Sequence, residues 1–590
     1  THVPHPDIEV GRITDRRWEF DRAHRVWVDG EHVGSTRTLT GLDEDPPERG
    51  ARLLPCRPVT VYVPEEFTSD ESDVLRRYFT NLDGPVFALV NLPEVVKGAL
   101  FARYSRSPKS LRRLFLDEFV NDLVIDGDET IDATIGLDRA EQLYERVFFE
   151  YGDDSVAQLG GVHLACEQAS NILTKILEWG RLMSYLEQST RYIGYDARLG
   201  GRYRFYRDPA LLSSSLGTRY VGDMDRMFDA YSTAVNTVTE HVRDTVPQDP
   251  DDSDFVYRTA TRAKALDAVR GMLPAASLSN VGIYGTGQAF EALLLRMRSH
   301  PLPEAQQYAD LMLHELRKVI PSFLRRVDLP DRGGQWSDYL ASTRGDTAEL
   351  VGRLFGEVPN ESVPEVSLVD FDPEAEDKLL AAICYSHSHL PETVLLERVR
   401  NLGVDERAAI LRAYVGDRAN RRHKPGRAFE RVDYRFDILS DYGAFRDLQR
   451  HRMLTIEWQA LTPNHGYARP DLVEQAGVGG LFDETMDRSA RLYDDIKAQF
   501  PEQASYAVSM AYRLRYMMQF NAREAFHLLE LRSAPQGHPS YRRVALAMHR
   551  AIAEQAGHHA VAAAMTHMTH EAPELERLAA ERRAESRRSM

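Results

Sequence analysis

"RHRMLTIEWQALTP", residues 450–463, opens on three basic residues and ends without a cation. "WGRLMSYLEQSTRY", residues 179–192, does the reverse: it opens on Trp179-Gly180-Arg181 and closes on Ser189, Arg191 and Tyr192. The two segments lie 271 residues apart, measured from Trp179 to Arg450, and other pairs follow in the same order along the chain. "ARYSRS" (102–107) matches "ICYSHS" (383–388) with Tyr104 and Tyr385 at an offset of 281, and "LLLRMRSHP" matches "HLLELRSAP" with Arg298 and Arg532 at 234. Collinear matches with a slowly drifting offset are the trace of a duplicated unit with unequal loops. The join is expected within residues 331–364, where Gly, Ser, Pro and acidic residues interrupt the periodicity.

A length of 590 residues favours more than one domain, and 43% hydrophobic content is that of a globular chain. No run of about 18 apolar residues and no basic-then-apolar leader is present, so a soluble, cytoplasmic protein is expected. Cys56, Cys166 and Cys384 are too dispersed for a disulfide framework or a thiolate metal site. With a formal charge of −17, the chain repels polyanions at long range, so an anionic ligand must be small and held by local arginines. No nucleic-acid polymer and no membrane is expected as a partner.

Residues 1–60 read as a charged N-terminal extension or edge segment, followed by units at 61–335 and 360–590. Three- and four-residue apolar spacings predict helices from "PVFALVNLPEVVKGALFARYSRS" onward, in "AEQLYERVFFEYG" (140–152) and in "VHLACEQASNILTKILEWGRLMSYL" (162–186). "RYRFYRD" (202–208), "EVSLVDFD" (365–372) and "VDYRFDIL" (432–439) predict strands. The class is α+β and helix-rich. His558, His559, His567 and His570 lack an HExxH or thiolate companion, so no metal is assigned and the segment reads as a solvated helix. "LERLAAERRAESRRSM" reads as a solvated helix or frayed tail.

The collinear motifs resemble the flavin-dependent thymidylate synthases, whose signature is RHRxxSxxxxSxRY followed by NxRExxHFxxLR. The second half offers Arg450-His451-Arg452 and "NAREAFHLLELR" from Asn521 to Arg532. The first offers "YGDDSV" (151–156) for the family's YGHxS, then Ser184, Glu187, Ser189, Arg191 and Tyr192, and Arg270 ahead of "MLP". The resemblance implies two tandem lobes, each a small mixed sheet packed with long helices, and a homodimer that mimics a tetramer of single domains. It also implies reductive methylation of dUMP to dTMP, with FAD as cofactor and NADPH and methylenetetrahydrofolate as co-substrates.

In that reading the cofactor contacts are Arg450, His451, Arg452, Asn521, Arg523 and His527 from the second half, with Ser155 and Glu187 from the first. The substrate contacts are Glu187, Ser189, Arg191, Arg270, Arg450 and Arg532, with Arg532 placed as the catalytic group that stabilises an anionic pyrimidine ring. Planar guanidiniums suit a phosphate because they donate bidentately and stay charged. Each half has lost what the other keeps, which implies one complete composite site and one abandoned site, the latter left with Arg181, Ala460, Leu461, Thr462 and Ser505. Two positions depart from the pattern: Asp153 replaces the GHxS histidine and Asp447 stands where a Gln precedes RHR. They leave open C5-alkylation of another pyrimidine nucleotide, or a flavin- or nucleotide-binding protein without turnover. Taken singly, a Ser-x-Arg-Tyr is more often a surface cap, RHR a basic helix face, and "NAREAFHLLELR" an ordinary amphipathic helix.

Overall fold

The computed structural model describes residues 62–92, 100–101, 104, 107–118, 161–356, 358, 363–571 and 575–588, together with the backbone of four short strands nearer the N-terminus. Those strands, β1 (Glu9–Ile13), β2 (Arg16–Phe20), β3 (Arg25–Val28) and β4 (Glu31–Ser35), form an antiparallel meander where only an extension was expected. They belong to a compact unit that ends at Pro58; a second unit runs from Val59 to Met590.

The second unit carries two four-stranded antiparallel sheets of the same topology. In the first lobe β5 (Val86–Ala88), β6 (Gly161–Ser170), β7 (Met183–Glu187) and β8 (Leu278–Thr286) lie in the order β5-β6-β8-β7. In the second, β9 (Val366–Phe371), β10 (Asp433–Asp441), β11 (Thr455–Trp458) and β12 (Arg513–Asn521) lie in the order β9-β10-β12-β11. The two inner strands of each sheet run into helices through the same device. Ser170 caps Asn171–Leu177 by accepting from Leu173 N, and Asp441 caps Tyr442–Leu448 by accepting from Ala444 N. Thr286 and Asn521 do the same for Gly287–Arg298 and Ala522–Arg532.

Strand β10 alternates, with Tyr434, Phe436 and Ile438 buried and the residues between them more exposed, and β12 follows the same two-residue period. Strand β6 does not alternate, because Leu164 and Cys166 enter the main core while Ala165 enters a second hydrophobic cluster, so that Leu164 to Cys166 are buried without a break. This explains a misreading: 162–186, expected as one helix, is strand, short helix and strand, because a run apolar on both faces carries no distinctive period. Likewise Val86–Ala88 is strand where a helix was expected, and 202–208 makes only isolated bridges. Residues 140–152 lie outside the described residues. The expected join holds a helix, Gln335–Phe355, rather than a loop.

The lobes share one hydrophobic core. Their backbones are also stitched together, Ala275 N to Val508 O at 2.8 Å and Met510 N to Leu273 O at 2.9 Å. The segments involved are themselves duplicates. Gly271 permits this approach, since a Cβ there would lie 2.9 Å from that of Ala511. No helix among the described residues is long and apolar enough to cross a membrane.

Candidate functional site

Strand β7 delivers Glu187 to the lobe boundary, where it is 4% exposed and surrounded by cations from both lobes. It accepts from Arg446 Nη2 at 2.8 Å, from Lys175 Nζ at 3.1 Å, and from Arg450. Burial works against its charge, but Arg446, Lys175 and Arg450 together hold the carboxyl well below the usual range. Arg450 also lies 3.6 Å from Asp447 and 4.0 Å from Glu178. Arg446 and Lys175 are duplicates of one another, so the same position in each lobe supplies a buried cation to this one carboxylate.

Beyond the turn after β7, Ser189 accepts from the Arg191 amide at 3.2 Å. The Arg191 guanidinium reaches Asp267 with Nε at 2.9 Å and Nη2 at 2.7 Å, Tyr541 Oη at 2.7 Å and the Gln536 carbonyl at 3.1 Å. The bidentate face expected to take a phosphate is therefore filled by Asp267. Arg577 closes the same carboxylate from the other side at 2.9 and 2.8 Å and donates to the Arg191 carbonyl. This corrects the expectation for the C-terminal segment: Arg577 is buried, and the helix Leu578–Arg588 packs on the helix Asp254–Val269. Sequence reasoning missed Asp267, Tyr541 and Arg577, because a lone Asp or Arg in a helical segment carries no local signal.

Arg270, 3% exposed, follows the helix Asp254–Val269 and donates to Asp447 at 3.3 Å. Its Nη2, like Nε of Arg450, is buried without a hydrogen-bond partner among the described residues. Asp447 also lies 3.9 Å from Arg532. Burial would raise its carboxyl, yet Arg270, Arg450, Arg532 and Arg191 hold it far below the usual range. Gly443 makes room for this cluster, since a Cβ there would lie 3.2 Å from Nε and Nη2 of Arg270. Arg270 and Gly443 line a cavity of about 550 Å³ between the lobes, with Lys264, Asp267, His538 and Arg543 among its other walls.

Arg532 is fixed by a hydrogen-bonded chain. His451 Nδ1 donates to Glu524 at 2.9 Å, which leaves its Nε2 to accept from Arg532 Nε at 3.0 Å. Burial and the adjacent guanidinium lower His451 to about 4, so the ring is neutral in this role. Burial opposes ionisation of Glu524, but hydrogen bonds from His451 and His527 bring it down to about 2. His451, Glu524 and His527 bring their ligand atoms within 4.8 Å of one another. The proton His451 gives Glu524, and the Arg532 guanidinium against its other nitrogen, both oppose a dication there.

Asn521 and Arg523 have other duties. Asn521 accepts from Glu524 N as the helix cap, and Arg523 donates to the Pro425 carbonyl and to Glu430. Arg452 donates to the Met183 carbonyl and, at 3.2 Å, to Ser184. Ser155 and Asp153 lie outside the described residues. The late histidines are not a solvated helix: His558 is 2% exposed against Tyr434, and helix covers only His559–Ala563.

The positions equivalent to Arg450 and Glu187 are built differently. Where Arg450 pairs with Glu187, the duplicates Trp179 and Trp458 meet edge to face, with ring centroids 5.1 Å apart. An ion pair in one half is thus an aromatic pair in the other. Thr462 caps a short turn, and Ser505 donates to the Leu461 carbonyl. Arg181 donates to Thr455 at 2.9 Å and lines a cavity of about 300 Å³ with His451 and Arg452, so it is not simply a vestige.

Residues 101–322 and 367–556 each match the pattern of the thymidylate synthase complementing protein family, Thy1. A UPF0159 protein of Chlamydia pneumoniae is 40% identical over 494 residues, covering 83% of this chain and 93% of that protein. One from Chlamydia muridarum is 39% identical over 492 residues (82% and 93%), and one from Thermoplasma acidophilum 32% over 483 (77% and 92%). With the family pattern present twice, in two lobes of one topology, the chain belongs to the flavin-dependent thymidylate synthase family as a tandem duplication.

Proposed function

We propose that the chain converts dUMP to dTMP at one composite site, using methylenetetrahydrofolate, reduced FAD and NADPH. The observation that carries this reading is the cationic cluster drawn from both lobes of one chain, with Nη2 of Arg270 and Nε of Arg450 buried without a hydrogen-bond partner among the described residues. Buried polar groups without partners are costly, and an anion supplies what these donors lack. Arg270 would hold the nucleotide phosphate, aided by Arg450, while Asp267 and Tyr541 fix Arg191 at the rim. Arg532, aimed by His451, would face the pyrimidine ring and stabilise negative charge on it.

The cations also fit a flavin diphosphate: Arg450 and Arg452 would hold it beside His527, with Glu187 orienting Arg450, while His451, whose two nitrogens are taken by Glu524 and Arg532, would act by fixing Arg532. When bound, FAD supplies the hydride that completes reduction of the transferred carbon. A second reading, C5-alkylation of a different pyrimidine nucleotide, draws on Asp447, which places a carboxylate where the family pattern has an amide. The homodimer is proposed on the same footing, because two lobes per chain leave two more to complete a tetramer-like assembly.

The test is flavin stoichiometry with dUMP-dependent turnover. One FAD per chain is expected, lost in the double variant Arg450→Ala, Arg452→Ala. Two FAD per chain, or turnover that ignores dUMP, would overturn the reading.

A further inference from the structure

We propose that Asp447 is a specificity-determining residue that sets how much negative charge the composite site accepts. The proposal rests on the nucleotide reading above and concerns a residue that the reading itself does not use. Asp447 comes from the short second-lobe helix Tyr442–Leu448 and lies 3.3, 3.6 and 3.9 Å from Arg270, Arg450 and Arg532. It occupies the position from which an anion could touch all three.

The neighbouring carboxylates are already committed. Asp267 is closed by Arg191 and Arg577, and Glu187 by Arg446 and Lys175 besides Arg450. With Glu187 matched by Arg446, and Glu178, 4.0 Å from Arg450 Nε, matched by Lys175, three guanidiniums less the Asp447 carboxylate leave a balance of +2, and Nη2 of Arg270 and Nε of Arg450 have no hydrogen-bond partner among the described residues. A phosphate monoester carries about −1.5 to −2 at neutral pH and matches that balance. A nucleoside diphosphate in the nucleotide's place brings a further charge that must sit beside the Asp447 carboxylate in a buried setting, where like charges repel strongly. Asparagine has the same shape without the charge, and would leave +3.

Inorganic phosphate and pyrophosphate serve as probes, so the outcome does not depend on recognition of a pyrimidine. Their affinities are measured by calorimetry on the full-length wild-type chain and on Asp447→Asn and Asp447→Glu. The ratio of pyrophosphate to phosphate affinity should rise about tenfold or more in Asp447→Asn. It should stay near the wild-type value in Asp447→Glu, which keeps the charge and controls for disturbance of the fold. An unchanged ratio in Asp447→Asn, an equal change in Asp447→Glu, or no binding of either anion to any of the three chains would overturn the proposal. A parallel dUMP titration separates the two ideas. Failure of dUMP to bind with the ratio shift intact defeats the nucleotide reading alone, whereas dUMP binding with an unchanged ratio defeats the role of Asp447 alone.

Discussion

Glu187→Gln should loosen the junction between the lobes while changing the volume of the side chain hardly at all. In the wild-type protein one carboxylate, wholly inaccessible at its side chain, accepts from Arg446, Lys175 and Arg450. A glutamine offers one carbonyl oxygen and turns an NH2 towards cations that need acceptors. Lys175 keeps Glu178 as a partner and Arg450 keeps Asp447. Among the described residues Arg446 keeps only Thr190 Oγ1 at 3.3 Å and the Met510 sulfur at 3.4 Å, so the penalty falls chiefly on one buried guanidinium. Removing one partner from a buried pair costs about 3–5 kcal/mol; with two of the three cations partly compensated, about 3 kcal/mol is expected. Urea unfolding followed by tryptophan fluorescence suits the purpose, because Trp179 and Trp458 touch across the same junction. The sign with pH is also set. Glu187 is held well below its ordinary 4.5, so its contribution is complete above that value and fades only as the pH falls towards the folded-state value. A difference from wild type under about 1 kcal/mol at pH 7, or one that grows on acidification, would refute the argument.

His451 is lowered from 6.5 to about 4 on folding, so the unfolded chain binds a proton that the folded one refuses; stability should fall between about pH 6.5 and 4, and His451→Gln should flatten that slope in parallel urea titrations. Gly443→Ala would bring a Cβ to 2.9 Å from Asp441 Oδ1 and 3.2 Å from the Arg270 guanidinium, and by moving the latter should weaken phosphate binding about tenfold by calorimetry, equivalent to one lost charged hydrogen bond. Unaltered affinity would mean that Arg270 does not meet the anion. Trp458→Ala, at a half-buried ring, should cost about 2–3 kcal/mol in urea, with a loss that, unlike that of Glu187→Gln, does not fade as the pH falls.

The duplication and the order of its parts were readable along the chain. Arg270 and Arg450 could be picked out because the copies carry Ser505 and Trp179 at the matching places, whereas Arg532, matched by Arg298, was picked out by the family resemblance. The alternating strands β10 and β12 were also accessible to reading, or partly so, since each has one buried face and a two-residue period follows from that alone. Strand β6 was not, because burial on both faces erases the period, and whether a run is buried on both faces is decided by what packs against it.

The carboxylates show the same division. Glu187 sits in a motif, but the three cations it gathers arrive from positions 175, 446 and 450, and only the packed lobes bring them to one oxygen pair. Asp267 and Arg577 are 310 residues apart and silent in sequence, yet Asp267 fills the fork of Arg191 and Arg577 closes the same carboxylate from the other side. Sequence determined which charges this protein carries into its site. Tertiary structure decided which of them cancel, because buried charges interact strongly only at a few ångströms, and those distances are set by the join between the two lobes.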